Sequence, residues 1–158
     1  DMRSATWTAP DTYTTAPDAR RFEYWEMPPA LILGSKAAAE YALEVGLDWI
    51  EPRVRQLADL TRQRLADLPG VRVLDQGRDL CGIVTAYCPG WNTKALMEWM
   101  SQHGINVRVS PDYVAQIDFP KKGVEWALRI SPHYYNTEEE IERAVAVLGE
   151  LPTPAIPL

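Results

Sequence analysis

Cysteine and histidine are scarce in this 158-residue chain, with Cys81, Cys88, His103 and His133 making up the whole supply. None of them recurs at metal-ligand spacing, which argues against a structural zinc site. The two cysteines flank an apolar, β-branched run, residues 82–87. If that run is a strand, their α-carbons stand about 23 Å apart, and a disulfide needs roughly 4.4–6.8 Å. Free thiols follow, as in a reducing cytosol, and both cysteines read as small buried residues. Positive charge is also short: 16 Lys and Arg stand against 22 Asp and Glu, for a net charge of -6, and no basic run exceeds a pair such as Lys121-Lys122. Neither nucleic acid nor an anionic membrane is an expected partner. No apolar stretch approaches the ~20 residues of a bilayer span, and Asp1-Met2-Arg3-Ser4 does not look like a secretory signal. The chain reads as cytoplasmic, and its length suits one domain that removes roughly two-thirds of its unfolded surface from water.

What the chain does have is a change of character near residue 30. Prolines at 10, 17, 28 and 29 and a Thr-rich stretch from Thr6 to Thr15 show no sustained period, so residues 1–29 read as an extended, wrapping segment. Residues 30–45 are rich in Ala and Leu, with Leu33, Ala37, Tyr41 and Val45 on one helical face and Gly46 placed to end it. Asp48 and Glu51 suit a capping pair for a second helix carrying Ile50, Val54, Leu57, Thr61, Leu65 and Leu68 at steps of three and four. Residues 71–74 and 82–87 read as a hairpin, and Asn92 caps a helix through His103. Residues 105–109 and 126–130 read as further strands, and Thr137 with Glu140 opens a last helix. Residues 152–158 are a Pro-rich tail. Strands grouped with helices, not alternating with them, predict an α+β domain over residues 30–151: about four strands with helices packed on one face.

Two clusters could carry chemistry. In the strand 126–130, Trp126, Leu128 and Ile130 point one way and Arg129 the other. Arg129 leads into Ser131-Pro132-His133-Tyr134-Tyr135-Asn136, a turn dense in hydrogen-bonding groups that runs into a helix N-terminus. A guanidinium fork matches a carboxylate, so this turn suits an acid. A solvated strand arginine followed by a capped helix explains the same pattern more simply. The second cluster, Arg20-Arg21-Phe22-Glu23-Tyr24-Trp25-Glu26, precedes a helix, where anions such as phosphate are attracted. A surface salt-bridge cluster is again the plainer account.

Read together, Arg20-Arg21-Phe22-Glu23, the two helices, Gly82-Ile83-Val84 and the stretch from Leu128-Arg129-Ile130 through Thr137 to Ile141 resemble the C-terminal part of class V aminotransferases. These fold-type I enzymes use pyridoxal 5'-phosphate, and they include isopenicillin N epimerase-like proteins, C-S lyases and cysteine desulfurases. The resemblance covers residues 19 to 151 and implies the small C-terminal domain of such an enzyme, with Arg129 clamping the α-carboxylate of an amino acid substrate. It makes Arg21, Glu23, Trp25, His133 and Tyr134 cofactor-adjacent, and implies a large cofactor-binding domain of the same protein and a homodimer. In the family a Gly-Thr pair follows the Arg-Phe-Glu motif and meets the partner's cofactor phosphate. Here Tyr24-Trp25-Glu26 stands instead, which leaves that contact to the Trp25 indole or to backbone amides. The family's Schiff-base lysine lies upstream of that motif, where residues 1–18 hold no lysine, so the chain is expected to be inactive alone. The loop 111–123 lacks the thiol a cysteine desulfurase needs. An independent small-molecule-binding or regulatory module of ferredoxin-like architecture, or a dimerisation piece, would share the same element order.

Overall fold

The computed structural model describes residues 4–23 and 26–151. The chain divides into two compact units, one ending at Gly46 and the other beginning at Leu47.

In the first unit, β1 (Ala5–Ala9) and β2 (Thr12–Thr15) form an antiparallel hairpin in which Trp7 pairs with Tyr13. This corrects the expectation of a segment without strand period. Thr6 and Thr8 alternate with Ala5 and Trp7, and Pro10 falls in the turn, where its missing N–H costs no ladder bond. The Thr8 hydroxyl donates to the Thr12 carbonyl at 3.2 Å, and the Ala16 amide closes on the Ser4 carbonyl at 2.8 Å. A short 3-10 helix, Ala19–Phe22, follows, with the Asp18 carboxylate accepting from the Arg20 amide. Then comes α1 (Pro29–Val45), with proline in its first turn and Gly46 at φ 96° closing it. None of its residues is buried, and the face expected to pack inward leaves Leu33 and Tyr41 exposed.

The second unit opens with α2 (Leu47–Ala66). Asp48 lies inside its first turn instead of capping it, and Pro52 falls within the helix. One stripe of α2 is buried, namely Leu57, Ala58, Thr61 and Leu65, and the Thr61 hydroxyl donates to the Leu57 carbonyl at 2.7 Å. The sheet comprises β3 (Arg72–Val73), β4 (Val84–Tyr87), β5 (Arg108–Pro111) and β6 (Trp126–Ile130), antiparallel throughout, in the order β3-β4-β6-β5. Two further helices, α3 (Thr93–Gln102) and α5 (Glu138–Gly149), join α2 on one face of the sheet. Leu65, Val84, Ala86, Leu96, Met100, Leu128 and Leu148 close the core there.

The opposite face carries Thr85, Arg129 and Arg108, and one end of it is covered. There the five-residue α4 (Asp118–Lys122) brings Phe119 onto Ala127, Leu74 and Val124. The strand β5 begins later than its apolar residues suggest: Ile105 and Val107 lean on the core, but the ladder starts with Arg108 opposite Arg129. Two caps read from the sequence are present. The Asn92 side chain accepts from the Lys94 and Ala95 amides, and Thr137 with Glu140 forms a full capping box. Among the described residues, no helix is long and apolar enough to cross a membrane.

Candidate functional site

The alternation of β6 sets the site. Trp126, Leu128 and Ile130 enter the core, which turns Arg129 to the other face, where it is exposed. Across the ladder its neighbours are Thr85 on β4 and Arg108 on β5. Arg129 lines an open hollow of about 470 Å³ together with Met97, Ser101, Ile105, Arg108 and Ser131. A second hollow of about 410 Å³ shares Ser131 and Ile105 and runs on to Tyr135, Asn136 and Glu140. Among the described residues no acidic side chain lines the first hollow and Arg129 makes no ion pair. A guanidinium so placed has its whole donor fork available to an anion.

Two networks hold this region still. In one, the Asp75 carboxylate accepts from the Thr85 amide at 2.9 Å and from the Thr85 hydroxyl, and from Arg62 Nε at 2.8 Å. Arg62 Nη2 also reaches the carbonyls of Cys81 at 2.7 Å and Ile83 at 3.1 Å. Both side chains are about nine-tenths buried, so α2, the loop 75–83 and the strand beside Arg129 are joined through one nearly dry ion pair. In the other, Arg53 on α2 grips Glu138 Oε2 at 2.9 Å and the Asn136 carbonyl at 3.0 Å. That grip, with some help from a backbone hydrogen bond, holds the Glu138 carboxyl at about 2, well below its ordinary 4.5. Asn136 braces the turn in turn: its Oδ1 accepts from the His133 amide, and its Nδ2 donates to Glu140. The Glu140 carboxyl is lowered too, first by that Asn136 bond.

The aromatics of the turn stack on one another. The His133 ring lies 4.7 Å from Tyr134 and 5.2 Å from Tyr135, and Tyr134 meets Trp49 edge-on at 5.9 Å. Arg129, His133 and Tyr134 lie close together along the chain in the second unit. Arg21 and Glu23 lie in the first unit. There Arg20 is fully engaged by Asp18 through Nε and Nη2 contacts of 2.8–3.1 Å. Arg21 instead lays its guanidinium 4.9 Å from the Phe22 ring centroid. Trp25 and the tail 152–158 lie outside the described residues.

The cysteines divide. Cys88 is buried, and burial pushes its thiol up to about 12, so it stays protonated. Cys81 is exposed, which corrects its reading as a buried residue: the loop it sits on is tied down through its carbonyl, and the side chain is left outside. The sequence reading missed Arg62 and Asp75, because a turn acid and a helix arginine give no periodic sign that they meet. It also missed Arg108, whose partner becomes evident only from the β5–β6 register.

Comparison with known proteins agrees with this layout. The family model described as aminotransferase class-V matches residues 4–144. A cysteine desulfurase from Synechococcus elongatus is 28% identical over 142 residues, 90% of this chain and 22% of its own length. An isopenicillin N epimerase from Amycolatopsis lactamdurans is 34% identical over 122 residues, 75% of this chain and 28% of its own length. Among solved structures, a cysteine desulfurase from Thermococcus onnurineus superposes with a TM-score of 0.72 at 26% identity, covering 94% of this chain and 37% of that one. The chain spans about a quarter of the length of the curated relatives it matches.

Proposed function

The chain belongs to the class V aminotransferase family, and on that premise we propose that it is the small C-terminal domain of a pyridoxal 5'-phosphate-dependent enzyme, in which Arg129 clamps the α-carboxylate of an amino acid. The observation that supports this is an unpaired guanidinium at the edge of an acid-free hollow. Family membership and the fold bring the arginine forward, and the geometry suits the role. Its strand is paired on both sides, which fixes the backbone from which the guanidinium reaches the hollow.

The cofactor's own lysine is not among these residues. Lys36 pairs with Glu40, Lys94 with Glu98 and Lys122 with Asp118, while Lys121 stands beside Lys122 on α4. None of the four lines the hollow beside Arg129. On this reading the cofactor is held by a large domain and a partner subunit, and this chain's share of the work is to bind and orient the substrate carboxylate. Several relatives are named cysteine desulfurases, but the loop 111–123 here carries no cysteine and Cys88 is locked as a thiol. A persulfide-forming step has no nucleophile in that loop. The reading therefore favours transamination, racemisation or C-S cleavage of an amino acid in the cytoplasm.

The test is Arg129→Ala in the intact enzyme. Loss of a bidentate, charge-assisted contact should weaken amino acid binding by about a hundredfold while cofactor absorbance is kept. Arg129→Lys should recover only part of this, because an ammonium has no fork. Unchanged substrate affinity in Arg129→Ala would overturn the assignment. A companion check uses the 158-residue chain alone. Mixed with pyridoxal phosphate and reduced with borohydride, it should show no stoichiometric adduct at a single lysine.

A further inference from the structure

We infer that Arg108 is a second anion-binding residue of the same site, and that the substrate is an amino acid whose side chain carries an acidic group of its own. This rests on the carboxylate-clamp reading of Arg129 and adds the substrate class to it. Arg108 and Arg129 are register partners on β5 and β6, which sets their α-carbons roughly 4.5–5.5 Å apart on the face turned away from the core. Both line the acid-free hollow, and among the described residues neither has an ion-pair or hydrogen-bond partner for its side chain.

Like charges directly opposite on neighbouring strands repel and cost stability. A fold that needed only a polar edge residue at position 108 would have been served by an uncharged one. Among the described residues no acid lines the hollow, and several acids of the second unit are engaged elsewhere. Glu98 pairs with Lys94, Asp75 is held by Arg62 and Thr85, Glu140 is tied to Asn136 and the Thr137 amide, and Asp112 accepts from the Tyr113 amide. The repulsion is thus left for a ligand to relieve. One carboxylate occupies one guanidinium fork and leaves the other positive charge unmatched, whereas a diacid matches both. The hollow, at about 470 Å³, is large enough for about fifteen waters and admits a five-carbon diacid with room to spare.

The probes are glutarate and its monomethyl ester, which differ by one charge, titrated calorimetrically into the intact protein. Wild type should bind glutarate about tenfold more tightly than the ester. Arg108→Gln should reduce that ratio to below about twofold while ester binding is retained, and Arg108→Lys should keep an intermediate ratio. Arg108 is exposed at the sheet edge, so the fold of each variant is checked by its far-UV spectrum and melting curve. Equal affinity for the two probes in wild type, or a diacid preference that survives Arg108→Gln, overturns the inference. Arg129→Gln separates it from the reading beneath it. If that change leaves ester binding intact, the carboxylate clamp itself is wrong. If it weakens the ester while Arg108→Gln leaves the diacid preference untouched, only the role of Arg108 falls.

Discussion

Arg53 and Glu138 decide how firmly the turn after Arg129 is held, and their ionisation gives a pH signature. The Glu138 carboxyl titrates at about 2 in the folded chain against an ordinary 4.5, chiefly through its bonds from Arg53. A carboxyl lowered on folding adds stability that is fully present above its unfolded value and disappears as pH falls through its folded value. Arg53→Leu should therefore lower the urea midpoint at pH 7, and the gap to wild type should close as pH drops from about 4.5 to about 2. A gap that stayed constant down to pH 2 would mean that Arg53 acts by packing instead. Asp18, lowered first by its Arg20 side-chain bond, changes in the same direction but touches only the first unit. Single residues were legible in the sequence where a period exposed them. Arg129 was visible as the polar break in an alternating strand. The Arg62–Asp75 pair was not, because charge pairing across a loop leaves no periodic trace, and Cys81 was misjudged because residue type alone does not say on which side of a loop a thiol hangs.

Elements were most readable where local chemistry ends them. The capping box at Thr137, the Asn92 cap and the strand 126–130 stand as expected, because each is decided within a few residues. The hairpin β1–β2 was hidden by prolines that turn out to sit in turns and flanks, and β5 was displaced because its apolar residues pack on the core before its ladder begins. Gly82 shows how one element constrains another. It has an ordinary backbone conformation, yet a Cβ there would run into the Val54 side chain of α2 and come within 3.5 Å of the Pro132 carbonyl oxygen. Three parts of the second unit meet at this residue: the helix, the loop that Arg62 clasps, and the turn that follows Arg129. Gly82→Ala should cost about 1–3 kcal/mol by overpacking, seen as a lower melting temperature. Gly82→Ala combined with Val54→Ala should recover much of the loss, since Val54 is the atom group in the way. If the double variant is no more stable than Gly82→Ala, the close approach is not what the glycine serves.

At the scale of the whole molecule, the two units differ in how they treat apolar surface. The second encloses a core, whereas in the first no residue of α1 is buried. Leu31, Leu33, Tyr41 and Leu43 on α1 and Trp7, Tyr13 and Phe22 before it are all more than half exposed. A helix apolar around most of its circumference belongs in an interior, and large exposed apolar surface of this kind marks a surface meant to be covered. On the proposed reading the cover is the large domain or the partner subunit of the intact enzyme. The 158-residue chain alone should then self-associate, with light scattering showing a mass above the monomer that rises with concentration. Leu33→Glu with Tyr41→Glu should return it to a monomer without lowering the melting temperature of the second unit, whose core these residues do not enter. In the intact enzyme the same pair should weaken assembly or cofactor retention. A strict monomer at high concentration, with the aromatics of the first unit shielded from quenchers, would show instead that the exposed surface finds its cover within a single copy of the chain.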